Sequence, residues 1–377
     1  MAAAIGLGIA RFAYALVLPA MRTDLVWTYG EAGWLNTTNA IGYLIGAVTA
    51  SRAASALGTR AMTGWGVVAC LVSLAACAVL RDFVALNAAR ILAGIGGAYA
   101  FVGGGVLVSR LASEAPDRAG LLLGVYYAMP GLGIAASGVV VPTVLASEGL
   151  EGWPFAWVAL AVFCLPMAAF HMLGTRSLEA EPPRSAGAPP DLAQWWIGTA
   201  YFLFGAGYIG YMTFMIARVR DGGGGSVEQG AFWVTIGAGA IVSAWAWRGV
   251  LDRLVGGRAF GLLCAICATG AAVPVAGEGA ALHLLSAALF GSTFFSVVAS
   301  TTAFVRRNYA QASWGRGIGL MTTSFGVGQI VGPIAIGWLN DATGSLQAGM
   351  AVSAALLFAG ALVALPQGDV SSGRRPA

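Results

Sequence analysis

The chain has 377 residues, 58% of them hydrophobic and only 10% charged. Soluble domains carry about 25% charged residues, so this balance, with a mean hydropathy of +0.79, excludes an ordinary soluble protein. The formal net charge of +4 is small and calls for no nucleic-acid partner.

Apolar runs recur at 2–21, 32–51, 62–80, 84–108, 119–145, 154–173, 194–217, 229–249, 259–276, 281–304, 317–338 and 347–366. Each is long enough to cross a hydrocarbon core of ~30 Å as a helix. They are continuous rather than alternating, which argues against a β-barrel. The expected fold class is an all-α membrane protein with twelve transmembrane helices. The first run has no basic leader and is followed by further spans, so it reads as a membrane helix and not a cleaved signal.

That first run carries Arg11 near its middle. An arginine at the centre of a spanning helix costs ~2.5–3.5 kcal/mol on insertion scales, so it is kept only where it meets protein, water or an opposite charge. Tyr14 follows three residues later, on the same face of a regular helix. The second run places Asn36, Asn39 and Tyr43 on one stripe, the fourth carries Arg90, and the fifth carries Tyr127. The connection 174–193 is polar and proline-rich, a linker between an N-terminal half, 1–173, and a C-terminal half, 194–377. The seventh run offers Tyr208 and Tyr211. The tenth offers Thr293, with His283 near its start, and the eleventh Gln329.

Other features carry less chemistry. The five cysteines, including the pair Cys264 and Cys267, all lie in apolar runs without polar or histidine neighbours, so they read as small packing residues and not as a metal site. Gly222–Gly225 opens no strand-to-helix turn and reads as a spacer. No nucleophile–base pair stands out, and no enzyme or cofactor is expected.

Arginine placement orients the chain. With the N-terminus cytoplasmic, the loops and tail on that side hold Arg52, Arg60, Arg110, Arg118, Arg176, Arg184, Arg248, Arg253, Arg258, Arg306, Arg307, Arg316, Arg374 and Arg375. The opposite side holds only Arg22, Arg81, Arg218 and Arg220. The positive-inside rule therefore puts both termini in the cytoplasm. The halves also repeat. Gly124, Gly131 and Gly133 match Gly319, Gly326 and Gly328 at an offset of 195, and Gly58 and Arg60 match Gly256 and Arg258 at 198. Together with the linker, this supports a parallel duplication of six helices.

The stretch Gly249-Val-Leu-Asp252-Arg253-Leu-Val-Gly256-Gly257-Arg258 is similar to the loop after helix eight of the major facilitator superfamily, which the chain resembles over essentially its whole length. Arg90-Ile-Leu-Ala-Gly94-Ile-Gly96-Gly97 is similar to the fourth-helix signature of proton-coupled members. Gly326-Val-Gly328-Gln329-Ile-Val-Gly332-Pro333 resembles an antiporter signature usually found in helix five, here in helix eleven. Gly8-Ile-Ala-Arg11-Phe-Ala-Tyr14 resembles the YbfB/YjiJ-type branch.

The resemblance implies two six-helix bundles that rock about a central cavity lined by helices one, four, seven and ten. It makes Asp252, Arg253 and Arg258 a conformational latch. The acids then decide the expected cargo, because all 16 Asp+Glu residues fall in loops or at helix ends. Two membrane arginines are left without a resident carboxylate. An anionic substrate supplies that charge, since arginine grips a carboxylate or sulfonate in a bidentate fork. The expectation is a monomeric secondary transporter of a small organic anion in the bacterial inner membrane. Its substrate residues are Arg11, Tyr14, Asn36, Asn39, Tyr43, Arg90, Tyr127, Tyr208, Tyr211, Thr293 and Gln329. Proton coupling, if present, falls to His283, Arg90 or the substrate acid itself. The alternative is proton-driven efflux of drugs or other hydrophobic compounds, which usually relies on a membrane acid.

Overall fold

The structure, a computed structural model, describes residues 1–179 and 194–370. Residues 180–193, which make up most of the expected linker and include Arg184, lie outside the described residues, as does the tail 371–377 with Arg374 and Arg375.

Among the described residues the long helices are α1 (Ala4–Asp24), α2 (Tyr29–Leu57), α3 (Thr59–Val79), α4 (Phe83–Glu114), α5 (Ala119–Glu148) and α6 (Trp153–Gly174). The second half gives α7 (Trp195–Asp221), α8 (Ser226–Ala246), α9 (Arg258–Ala276), α10 (Ala280–Asn308), α11 (Trp314–Thr343) and α12 (Leu346–Ala364), with a short helix Arg248–Arg253 between α8 and α9. All but α8 are long and apolar enough to cross a membrane. The exception opens on Ser226, Glu228 and Gln229, which dilute its hydropathy. Several helices outrun the apolar runs that announced them. Hydropathy marks the hydrocarbon core, whereas backbone hydrogen bonding continues to the cap. For α2 that cap is a capping box, in which Thr28 and Glu31 satisfy each other's backbone N–H.

The helices form two six-helix bundles, α1–α6 and α7–α12, and the repeat seen in the sequence is also a repeat of contacts. Gly94 of α4 lies on the Asn39 carbonyl of α2, and Gly291 of α10 lies on the Ile236 carbonyl of α8. Gly8 of α1 abuts the Pro130 carbonyl of α5, and Gly205 of α7 abuts the Phe325 carbonyl of α11. Across the bundle interface, Gly131 of α5 meets the Gly237 carbonyl of α8, while Gly326 of α11 meets Leu44 of α2. Glycine serves here because helices without side chains at the crossing approach backbone to backbone.

Two helices are not the regular rods expected. Residues Ala4–Ile9 of α1 are π-helical, and α-helix resumes only at Tyr14. Ala10 N donates to Ile5 O at 2.8 Å and Phe12 N to Leu7 O at 3.3 Å, one residue further back than in an α-helix. The α10 helix breaks at Ser292–Thr293. There Thr293 Oγ1 donates to Leu289 O at 2.8 Å, and Trp247 Nε1 donates to the Ser292 carbonyl at 2.5 Å, so side chains compete with the helix ladder.

Candidate functional site: a cross-bundle arginine cluster

The interruption of α1 separates two residues that a regular helix would put on one face. Arg11 points across the bundle interface and donates to the Gln329 side-chain oxygen of α11. Gln329 Nε2 in turn donates to the Tyr208 hydroxyl of α7 at 3.0 Å. The guanidinium carbon lies 4.9 Å from the Tyr43 ring centre and 5.7 Å from that of Phe12. A desolvated cation over an aromatic face gains ~2 kcal/mol. Arg11 is 4% exposed. The ion pairs of the described residues are Arg110–Glu114, Arg218–Glu278, Arg248–Asp252 and His283–Glu228, so neither Arg11 nor Arg90 has a carboxylate partner among them.

Tyr14 faces the other way and donates to the Ala32 carbonyl at 2.7 Å, with its ring 5.2 Å from Arg90. Arg90 is fully buried. Its two terminal nitrogens donate to Ala10 O at 2.6 Å and Arg11 O at 3.1 Å, carbonyls left over where α1 leaves regular helix. Arg90 therefore fixes the backbone that carries Arg11, and the planar fork of a guanidinium suits two adjacent carbonyls.

Of the residues expected at the site, the structure brings Arg11, Tyr43, Tyr208 and Gln329 together. Tyr14 and Arg90 stand behind them. Asn39 donates to the Arg90 carbonyl at 3.1 Å, and Asn36 donates to Thr213 of α7 at 2.5 Å. Tyr211 pairs with Ser286 at 2.6 Å inside the second bundle, where Thr293 is bonded to its own helix. Tyr127 is 48% exposed beside Phe101 and Tyr126. His283 Nδ1 lies 2.5 Å from Glu228 Oε1, near the starts of α10 and α8. Asp252 lies 3.6 Å from Arg248 of its own short helix, and Arg253 and Arg258 are exposed. The turn is held instead by Arg307 of α10, which donates to the carbonyls of Leu254 at 2.7 Å and Leu251 at 3.1 Å. Arg307 entered the sequence reading only as a mark of the cytoplasmic side, and Phe12, Phe294 and Phe325 were given no part in the site, because a phenylalanine in an apolar run looks like any other apolar residue.

The cross-bundle hydrogen bonds run from this cluster toward one face of the molecule, the face on which α2 begins and α11 ends. Thr37 Oγ1 donates to Ile330 O at 2.8 Å, and Trp233 Nε1 donates to Ser137 Oγ at 3.2 Å. At the end of the seam, the Asp341 carboxylate of α11 accepts from Tyr29 N at 2.8 Å and Gly30 N at 2.7 Å, capping the N-terminus of α2. This distal seam is closed. A cleft of about 310 Å³ remains at its edge, lined by Leu16, Pro19 and Arg220 among others.

The sequence pattern of the family described as "Uncharacterised MFS-type transporter YbfB" matches residues 3–365. Among solved structures, the chain is similar to a bacterial homologue of the human lysosomal transporter Spinster, in an inward-facing and occupied conformation, with a TM-score of 0.72 and 15% identity over 97% of this chain and 94% of that one. It is similar also to a point mutant of the nucleoside transporter NupG, with a TM-score of 0.71 and 15% identity over 97% of each chain. No curated protein matches.

Proposed function

Because the chain belongs to the YbfB-type family of major facilitator transporters, we propose that it moves a small organic anion, a carboxylate or sulfonate, by alternating access. It is a multi-pass membrane transporter and not an enzyme. One observation carries the choice of cargo: Arg11 sits at the bundle interface with a neutral amide and aromatic rings around it and no carboxylate partner among the described residues. A charge in that setting is incomplete without an anion, and charge-assisted bonds formed away from water are the strong ones.

In this reading the bundles 1–173 and 194–377, joined by the linker 174–193, rock about the level of Arg11 and Gln329. The distal seam of α2 with α11 and of α5 with α8 opens to admit or release cargo, then closes again. Tyr127, on the opposite half of α5, lines the other entrance. The excess of loop arginines on the terminal side supports cytoplasmic termini in a bacterial inner membrane. Protons accompany the acid itself or pass through His283, whose ring lies against the Glu228 carboxylate.

Uptake of labelled organic acids into vesicles tests the reading. Arg11→Ala is expected to cut uptake about 10- to 100-fold, the worth of a charge-assisted hydrogen bond. Undiminished uptake by that variant would overturn the anion site.

A further inference from the structure

The rings around Tyr208, which is joined to Arg11 through Gln329, are arranged, not merely abundant. Tyr208 lies 5.4 Å from Phe325 with planes 15° apart and 6.3 Å from Phe294 with planes 17° apart. Phe204 continues the stack at 5.1 Å and 8° from Tyr208. These rings come from α7, α10 and α11, three helices of one bundle, yet they lie nearly parallel. Phe12 of the other bundle meets Phe294 edge-on, at 6.3 Å and 88°. The Arg11 guanidinium stands at the margin of this array, over Tyr43 and beside Phe12, with the Tyr208 hydroxyl reached through Gln329.

We propose that the substrate is a flat aromatic acid, its carboxylate on Arg11 and its ring in register with the Tyr208 stack. The inference rests on the anion reading above and adds to it the shape of the body. A carboxylate arriving at Arg11 displaces the Gln329 oxygen. It finds three kinds of donor there: the guanidinium fork, the Gln329 amide and the Tyr208 hydroxyl. Behind the carboxylate, parallel ring faces and the edge of Phe12 match the offset-stacked and T-shaped geometries that aromatic pairs prefer. A saturated body of equal size gains the same burial but not those ring pairings. Two of them together are worth about tenfold in affinity.

The test is calorimetric binding to the full chain in lipid nanodiscs, using benzoate, cyclohexanecarboxylate and benzylamine. The expected result is benzoate binding about tenfold more tightly than cyclohexanecarboxylate. Phe294→Leu should bring that ratio close to one, and Arg11→Gln should lose both acids. Phe12→Leu serves as a second variant, because it leaves the stack of the other bundle untouched. Equal affinity for the two acids, with both lost in Arg11→Gln, overturns the aromatic preference and leaves the anion reading standing. Binding of benzylamine but neither acid overturns the anion reading itself, and this inference falls with it.

Discussion

Arg11 and Arg90 are the same residue put to different uses, and what separates them is what their N–H groups meet. Arg90 spends its fork on two carbonyls of α1, whereas Arg11 reaches a side chain that a ligand can displace. Arg90→Lys is therefore expected to destabilise the protein even though it keeps the charge. A lysine is a point donor and leaves one buried carbonyl unmet, at a cost of ~1–3 kcal/mol. Thermal unfolding in detergent measures this. The sequence disclosed two arginines within apolar spans that hold no acid near them, because charge in an apolar run is conspicuous. It did not disclose which one faces the interface. That depends on the turn at residues 10–13, between the π-helical and α-helical parts of α1, which separates Tyr14 from Arg11, and no side chain in the run advertises the change of register.

The seam between α2 and α11 ends in a carboxylate from one bundle capping a helix from the other. Asp341→Asn keeps the shape but gives up an acceptor oxygen and the charge that favours a helix N-terminus. The expected outcome is a distal face that opens more often. A cysteine introduced at Thr37 should then react several-fold faster with an impermeant maleimide added from that face, since a lost cap of ~1 kcal/mol shifts such an equilibrium about fivefold. Where α5 crosses α8, a Cβ on Gly131 would stand 2.7 Å from the Gly237 carbonyl. Gly131→Val is accordingly expected to hold the distal face open, raising the same labelling rate and lowering transport. The spans themselves were legible, since a lipid-facing helix must be apolar over a fixed length. The breaks in α1 and α10 were not. The carbonyls they free are met in part by residues distant in the chain, Arg90 at Ala10 and Trp247 at Ser292.

Of the glycine pairs read from the sequence, Gly133 and Gly328 reappear in the folded molecule as matched backbone contacts, on the Ala4 and Phe202 carbonyls, whereas Gly124 meets Trp245 and Gly319 meets no neighbouring helix. Glycine spacing is visible in sequence and dictates close approach, so this much of the duplication was readable. The cluster at the interface departs from the symmetry: the charge comes from the first half, and the amide and hydroxyl come from the second. An apolar composition hides the rings that complete the cluster, because Phe12 fills the same hydropathy pattern whether or not it flanks a guanidinium.

The Arg11–Gln329 contact has one more consequence. The guanidinium joins one half of the protein to the other through that side-chain contact, and on the proposed anion reading a turnover made without cargo has to give it up uncompensated. On that reading a bound anion replaces the contact in the act of docking. Return journeys made empty are then expected to be slow, and swapping labelled for unlabelled cargo should outpace net accumulation. Gln329→Ala should narrow the gap between those two fluxes.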